Sequence, residues 1–401
     1  NAKFDNVLWS ARLEKVADPG EYLVPYRGEA FLDCVQLLEP RDEPPLKVVA
    51  VPKTSRKARI IAIEPTYRQW AQQALLKEFS AVLTGTTVDL SDQNHNRVLA
   101  REGSVDGSWA TLDMSEASDR VHLAVVNAVF NRFPHTRRFL MASRGTTART
   151  PDGRVSRLRK FASMGSAVCF PVESIVFATM AMLAIERAAN ASSCAVKPTV
   201  AELRRTVRVF GDDIIVPTRH AHDVISLLVR LGCRPNPNKS FWSGNFRESC
   251  GGDYFRGSDV TIARLRRRLP ETHRDAQEIL SLVAFRNHMY DRGYWIVASR
   301  IDERLAQLRV PMPIVEETSP IVGRRSVLQY RAQRFHPDYQ SPLVRGLMVR
   351  SRPPLSRASA WGALMKCTSP ERREPYADPE HLDRSGRPDR VHTKVGWGQP
   401  Y

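Results

Sequence analysis

Residues 207–218 read VRVFGDDIIVPT, with Asp212 and Asp213 side by side behind Gly211 and between two short apolar, β-branched runs. Adjacent carboxylates repel, and strands of this composition belong in an interior, so a plain surface turn does not account for the pattern. A divalent cation does, because Mg²⁺ takes hard carboxylate oxygens and commonly only one or two of them from protein. A second acidic position lies upstream in ATLDMSEASD, where Asp113 directly follows an apolar run and Asp119 stands six residues on. Two metal ions held by carboxylates from two neighbouring strands are the apparatus of nucleotidyl transfer: one activates a hydroxyl and the other steadies the leaving pyrophosphate. The triphosphate also needs cations from protein, and Lys53, Arg56, Lys57 and Arg59 form a basic cluster between VVAVP and IIAIEP. Arginine and lysine so placed give charge-assisted hydrogen bonds to phosphate oxygens.

Elements must hold these groups in place. The runs at 46–51 and 60–63 read as strands flanking the basic turn, and residues 66–83 carry helical periodicity. WATLDMS (109–115) reads as a short strand, after which Asp119 occupies an N-cap position for a helix ended by Pro134. Pro151-Asp152-Gly153 marks a basic hairpin over 150–161. A buried helix over 166–190, the acidic hairpin, and a helix over 221–231 follow. Residues 1–45 look helical and mixed, 246–268 begin as strand and end basic, and 270–310 look helical. Beyond about residue 340 the chain is rich in Pro, Arg and Ser, a composition that folds poorly by itself and either packs along the body or stays mobile.

Composition bounds the function class. The 401 residues carry 60 Lys+Arg against 43 Asp+Glu, a net charge of +17, which suits a polyanionic partner such as nucleic acid. Six cysteines at 34, 169, 194, 233, 250 and 367 include no CxxC pair. That spacing gives neither a zinc ribbon nor a dense disulfide framework, and it fits a reducing compartment. The longest apolar stretch, residues 175–185, is short for a bilayer and reads as a core helix, so no membrane partner is expected.

VPKTSRKARIIAIEP, DLSDQNHNRVLAREGS, ATLDMSEASD, PDGRVSRLRKFASMGS, VFGDDIIVP and NKSFWSGNFRESCGGDYFRGSDV occur in this order over roughly residues 46–262. The set resembles the RNA-directed RNA polymerases of single-stranded RNA bacteriophages, the levivirus-type replicase catalytic subunit. FRESCG and the DxSxASD segment are particular to that group, whereas Gly-Asp-Asp is shared by many polymerases. The resemblance implies an α+β right-hand fold: fingers over 1–108, palm over 109–133, a fingers insertion over 134–162, palm again over 163–255, thumb over 256–340, and a Pro/Arg-rich tail over 341–401. By position it implies Asp113, Asp212 and Asp213 as metal-binding catalytic acids, and Lys53, Arg56 and Arg59 as triphosphate contacts. Ser163 and Gly165 fall in the loop beside template and nucleotide. Lys239, in NPNKS, matches a lysine that either protonates the departing pyrophosphate or simply contacts phosphate.

The helix after that loop departs from the pattern of many RNA polymerases, with Cys169 and Glu173 where Thr and Asn are usual, and Ser166 stands where relatives often have Asn. Asp119, with Ser163 or Glu173, is then the candidate for reading the ribose 2′-hydroxyl. The implied cofactor is a pair of Mg²⁺ ions, with Mn²⁺ as an alternative. The implied partners are an RNA template and nascent strand, ribonucleoside triphosphates, host translation elongation factors and a ribosomal protein, all in the cytoplasm of a bacterial host. The absent initiator Met suggests a chain that begins inside a longer one. A reverse transcriptase and a non-catalytic basic RNA-binding protein are the competing readings. Gly211, and the small residues Ser115, Ala117 and Ser118 after Asp113, argue against the first; the two separated acid sites argue against the second.

Overall fold

The computed structural model describes residues 7–21, 35–52, 58–191, 198–352 and 390–401. Helices and sheets are mixed throughout, and the chain divides into two compact units, Asn1–Thr261 and Ile262–Tyr401.

The first unit is organised on a three-stranded antiparallel sheet in which Asp213–Pro217 lies between Trp109–Asp113 and Arg208–Phe210. Ile214, Ile215 and Val216 are each fully buried, as a strand covered on both faces requires. Cys169–Ala191 packs against this sheet as the main core helix, with Val172, Val176, Phe177 and Ala181 inaccessible to solvent. By length and composition this helix could cross a bilayer, yet 67% of its most apolar window is buried inside the protein, as a core helix is. Ala221–Arg230 turns Val224 and Leu228 into the same core.

A second sheet orders Ala58–Ile63, Leu46–Pro52, Thr147–Arg149 and Val155–Arg157. Leu46–Pro52 and Ala58–Ile63 pair antiparallel, and residues 53–57 of the basic turn, Lys53 and Arg56 among them, lie outside the described residues. The hairpin expected at 150–161 is the antiparallel pair Thr147–Arg149 and Val155–Arg157. The helix Thr66–Leu83 has the limits that its periodicity predicts. A third, three-stranded sheet (Phe246–Ser249, Gly252–Phe255, Ser258–Asp259) packs on the helix Asn94–Asp106.

Two local expectations are corrected. The N-terminal stretch is not mainly helical among the described residues: Val7–Ser10 and Val35–Leu38 pair as parallel strands around the short helix Ala11–Glu14. Asp119 caps no continuous helix, because the chain forms Ala117–Arg120, leaves helical geometry at Val121, and restarts as Leu123–Val129. His122 caps the second piece by accepting from the Ala124 N–H, and Val121 is held extended by accepting from the Phe161 N–H. Of the two outcomes open to the Pro/Arg-rich stretch, its described ends take the packed one: Pro342–Arg352 and Arg390–Gly398 form a long antiparallel pair in the second unit. That unit packs Ala276–Asp291 and Trp295–Gln307 through Ile279, Leu282, Ile301 and Leu305. Arg286 joins the two helices by ion-pairing with Asp302 at 2.9 Å.

Candidate active site

The acidic hairpin has a two-residue turn, since Phe210 pairs with Asp213 and leaves Gly211 and Asp212 between them. Gly211 has φ +65°, the left-handed value that the first turn position demands of a short hairpin. A Cβ there would also sit 2.2 Å from the Phe170 ring. The Gly211 N–H donates to Ser174 Oγ at 2.8 Å, and Phe170 meets Phe210 edge-on at 5.0 Å. The turn is therefore seated on the core helix by shape and by one buried hydrogen bond.

Across the sheet Asp113 is the direct partner of Asp213, so the ends of two neighbouring strands carry facing acids with Asp212 beside them. A loop from a distant part of the chain completes the surroundings of Asp113. The Asn236 N–H donates to the Asp113 carbonyl at 2.8 Å, Asn236 Nδ2 donates to Asp113 Oδ2 at 3.0 Å, and the Asp113 N–H donates to Ser240 Oγ at 3.1 Å. The same loop brings Lys239 Nζ to 3.7 Å from Asp113 Oδ1 and 3.3 Å from Glu248 Oε1. Asp213 is held from the other side, where Ser249 Oγ donates to its Oδ1 at 3.4 Å and Cys250 hydrogen-bonds it through its backbone N–H.

The electrostatics are those of crowded acids. Burial, then the Asp212 charge, push Asp213 up to about 6. Burial also raises Asp113, with Asp212 adding to it; half-exposed Lys239 and Asn236 oppose the rise without cancelling it. Burial works against the Lys239 ammonium, but Asp113 and Glu248 outweigh it and hold the proton on more firmly than usual. Glu173, on the core helix, is buried and is pushed to about 8, first by burial and then by Asp212 and Asp119.

A carboxyl with a raised folded value keeps a proton that the unfolded chain releases, so its contribution to stability falls as pH rises. For Glu173 that fall runs from its ordinary 4.5 to about 8. The Glu173→Gln variant is expected to show a shallower loss of thermal midpoint across this window without divalent cation. Thermal scans from pH 5 to 9 check it, and an unchanged slope would count against the burial argument.

Other expected residues are placed as follows. Asp119 is exposed and ion-paired with Lys160. Ser163 is buried at the start of the loop before the core helix. Gly165 has φ +115°, and a Cβ on it would lie 2.1 Å from the Ala62 carbonyl oxygen. The Ala62 N–H donates to Met164 O at 2.8 Å, which ties this loop to the strand Ala58–Ile63. Arg59 is exposed on that strand. Asn236, Ser249, Cys250 and Ser174 were not singled out by residue type. Signals were nonetheless visible: Ser249 and Cys250 lie in FRESCG, which the resemblance marks as a strand turn near the growing 3′ end, and Asn236 stands between two prolines in RPNPNKS.

Among the described residues, no three His, Cys, Asp or Glu side chains form a ready-made metal cage. The donor chemistry nevertheless suits a hard divalent ion: Asp113, Asp212 and Asp213 offer only carboxylate oxygens, and their mutual repulsion is what a dication relieves.

The family model described as RNA replicase, beta-chain, matches residues 37–290, more than half of the chain. The chain belongs to the RNA replicase beta-chain family. Within it, the chain is 38% identical over 221 residues to the RNA-directed RNA polymerase subunit beta of Enterobacteria phage SP. That alignment covers 55% of this chain and 36% of the relative. It is 31% identical over 263 residues to the RNA-directed RNA polymerase beta chain of Escherichia phage MS2, covering 66% of this chain and 44% of that one. The chain thus spans less than half the length of these curated relatives. Among solved structures it is similar to the RNA-dependent RNA polymerase of a human picorbirnavirus, in an insertion-loop deletion mutant, with TM-score 0.44 and 14% identity over 61% of this chain and 54% of that one. Membership in the replicase family favours the polymerase reading over the reverse-transcriptase and RNA-binding alternatives.

Proposed function

We propose that this chain carries the catalytic centre for RNA-directed RNA synthesis from ribonucleoside triphosphates. The observation that carries the reading is the register of Asp113 opposite Asp213, with Asp212 at the adjoining turn. In this reading the sheet around the three acids and the core helix are the palm, the strands 46–63 with their basic turn belong to the fingers, and the second unit contains the thumb and the tail.

Asp113, Asp212 and Asp213 hold divalent cations, Mg²⁺ in the cell. When bound, these ions activate the 3′-hydroxyl of the growing strand and offset charge on the leaving pyrophosphate. The chain's own residues do the rest. Asn236 and Ser240 fix Asp113, while Ser249 and the Cys250 backbone fix Asp213, so the acids meet the reaction already oriented. Lys239 keeps its proton and sits within reach of the acids, where it presents a positive charge, and a transferable proton, to a departing phosphate. Arg59, with Lys53 and Arg56, binds the triphosphate. Ser163 and Gly165 line the nucleotide side. Asp119, oriented by Lys160, reads the ribose 2′-hydroxyl together with Ser163 or Glu173.

The partners in this reading are an RNA template and host proteins of the translation apparatus, in a bacterial cytoplasm. Extension of an RNA template with ribo- against deoxyribonucleoside triphosphates, with and without bacterial extract, tests it. Ribonucleotides should be strongly preferred. Equal use of both sugars would instead favour a relaxed or reverse-transcribing site.

A further inference from the structure

The Asp213 carboxylate takes hydrogen bonds from Ser249 and Cys250, which lie at the end of a strand where the chain reverses. That reversal is strained. Cys250 has φ +48° and Gly251 φ +70°, and a residue with a side chain rarely adopts the left-handed region. The turn at the other end of the next strand repeats the feature, with Arg256 at φ +50° and Gly257 at φ +81°. Two arginines one helical turn apart grip these two turns. Arg97 donates from Nε at 3.1 Å and Nη2 at 2.9 Å to the Cys250 carbonyl, and Arg101 donates from Nε at 2.8 Å to the Gly257 carbonyl. Both project from the helix Asn94–Asp106, at the i and i+4 spacing that puts side chains on one face. On the same helix, buried Asn96 donates to the Asp213 main-chain carbonyl at 3.5 Å.

We infer that Arg97 is a positioning residue for Asp213, acting through the Cys250–Gly251 turn. By fastening the Cys250 carbonyl with a two-pronged bond, it holds the neighbouring N–H and the Ser249 hydroxyl where they orient the carboxylate for a cation. Arg101 docks the same hairpin at the end remote from Asp213 and does not orient the acid. The inference rests on the reading of Asp213 as a cation-holding carboxylate.

The test is direct Mn²⁺ binding by the metal-free full chain, followed by electron paramagnetic resonance of the free ion, alongside thermal midpoints. Arg97→Gln should weaken Mn²⁺ binding on the order of 10-fold, the scale of lost outer-shell support. Arg97→Lys, which keeps charge but only a single-point contact, should fall between Arg97→Gln and wild type. Arg101→Gln should leave Mn²⁺ affinity unchanged. The inference is overturned if Arg97→Gln binds Mn²⁺ like wild type while Asp212→Asn binds it poorly. It is equally overturned if Arg101→Gln loses as much affinity as Arg97→Gln, since both would then act only by docking the hairpin. Should Arg97→Gln not fold, the comparison of Arg97→Lys with Arg101→Gln decides by the same criteria. If Asp212→Asn itself binds Mn²⁺ as well as wild type, the underlying assignment of the acids fails instead.

Discussion

The Asp212→Asn variant is expected to lose ribonucleotide incorporation by on the order of 10³-fold while becoming more stable than wild type in the absence of divalent cation. The two effects share a cause. The Asp212 charge raises the values of Asp213, Asp113 and Glu173 together, so the folded metal-free protein carries a repulsion that its unfolded chain does not. Removing that charge relieves the repulsion and removes a ligand at once. Thermal midpoints with and without Mg²⁺, beside a single-nucleotide incorporation assay, check both halves. Wild type should gain midpoint on adding Mg²⁺, because a ligand that binds only the folded form stabilises it, and Asp212→Asn should gain little. A variant less stable than wild type without metal would mean that Asp212 is a structural turn residue.

The second large effect is expected at a buried ion-pair cluster that contains none of the three acids. Glu43 is buried and accepts from Ser10, from Arg12 Nη2 at 2.5 Å and from Arg68 Nη2 at 2.6 Å; Arg68 is 1% exposed. Burial works against the Glu43 charge, but its Arg and Ser partners outweigh it and hold the carboxyl below the ordinary range. Glu43→Ala leaves the buried Arg68 guanidinium without its ion-pair partner, with Glu64 as a nearby acid, which costs about 3 kcal/mol, the lower end for a broken buried pair. Because the folded value is depressed, the stabilisation is present above the ordinary 4.5 and is lost as pH falls through the folded value. Glu43→Ala should accordingly narrow the stability gap to wild type in acid. Urea midpoints at pH 7 and pH 3.5 measure this. Activity should fall as well: Arg68 lies on the helix whose Gln72 accepts from Ser166 Oγ at 3.0 Å and Ala167 N at 3.1 Å. These bonds place the loop that contains Ser163 and Gly165. A cost under 1 kcal/mol would mean that water reaches Arg68 once the carboxylate is gone.

Local signals made much of the site legible in advance. Apolar, β-branched flanks around Gly-Asp-Asp required a hairpin with a buried strand, and Ile214, Ile215 and Val216 are that strand. The apolar run before Asp113 gave its strand end, and helical periodicity gave Thr66–Leu83 at both limits. Long-range pairing was hidden, because residue types do not encode which loop meets which strand. Asn236 reaches Asp113 across 123 positions, and the Ser249–Cys250 turn meets Asp213 only through the packing of a third sheet. Asp119 misled for a related reason. Its position fits an N-cap, but pairing of Val121 and His122 with the 159–161 segment interrupts the helix and leaves Asp119 to Lys160. For the Pro/Arg-rich stretch composition left packing and mobility both open, because the partner of Pro342–Arg352 lies beyond a long intervening segment.

The role of the three acids is tested by template-complementary incorporation by the wild-type chain and by Asp212→Asn, each supplied with bacterial extract, Mg²⁺ and a homopolymeric RNA. Wild type should incorporate only the complementary ribonucleotide, a chelator should abolish this, and Asp212→Asn should stay at the background of extract alone. Equal incorporation by the two chains, or incorporation indifferent to the template base, would contradict it.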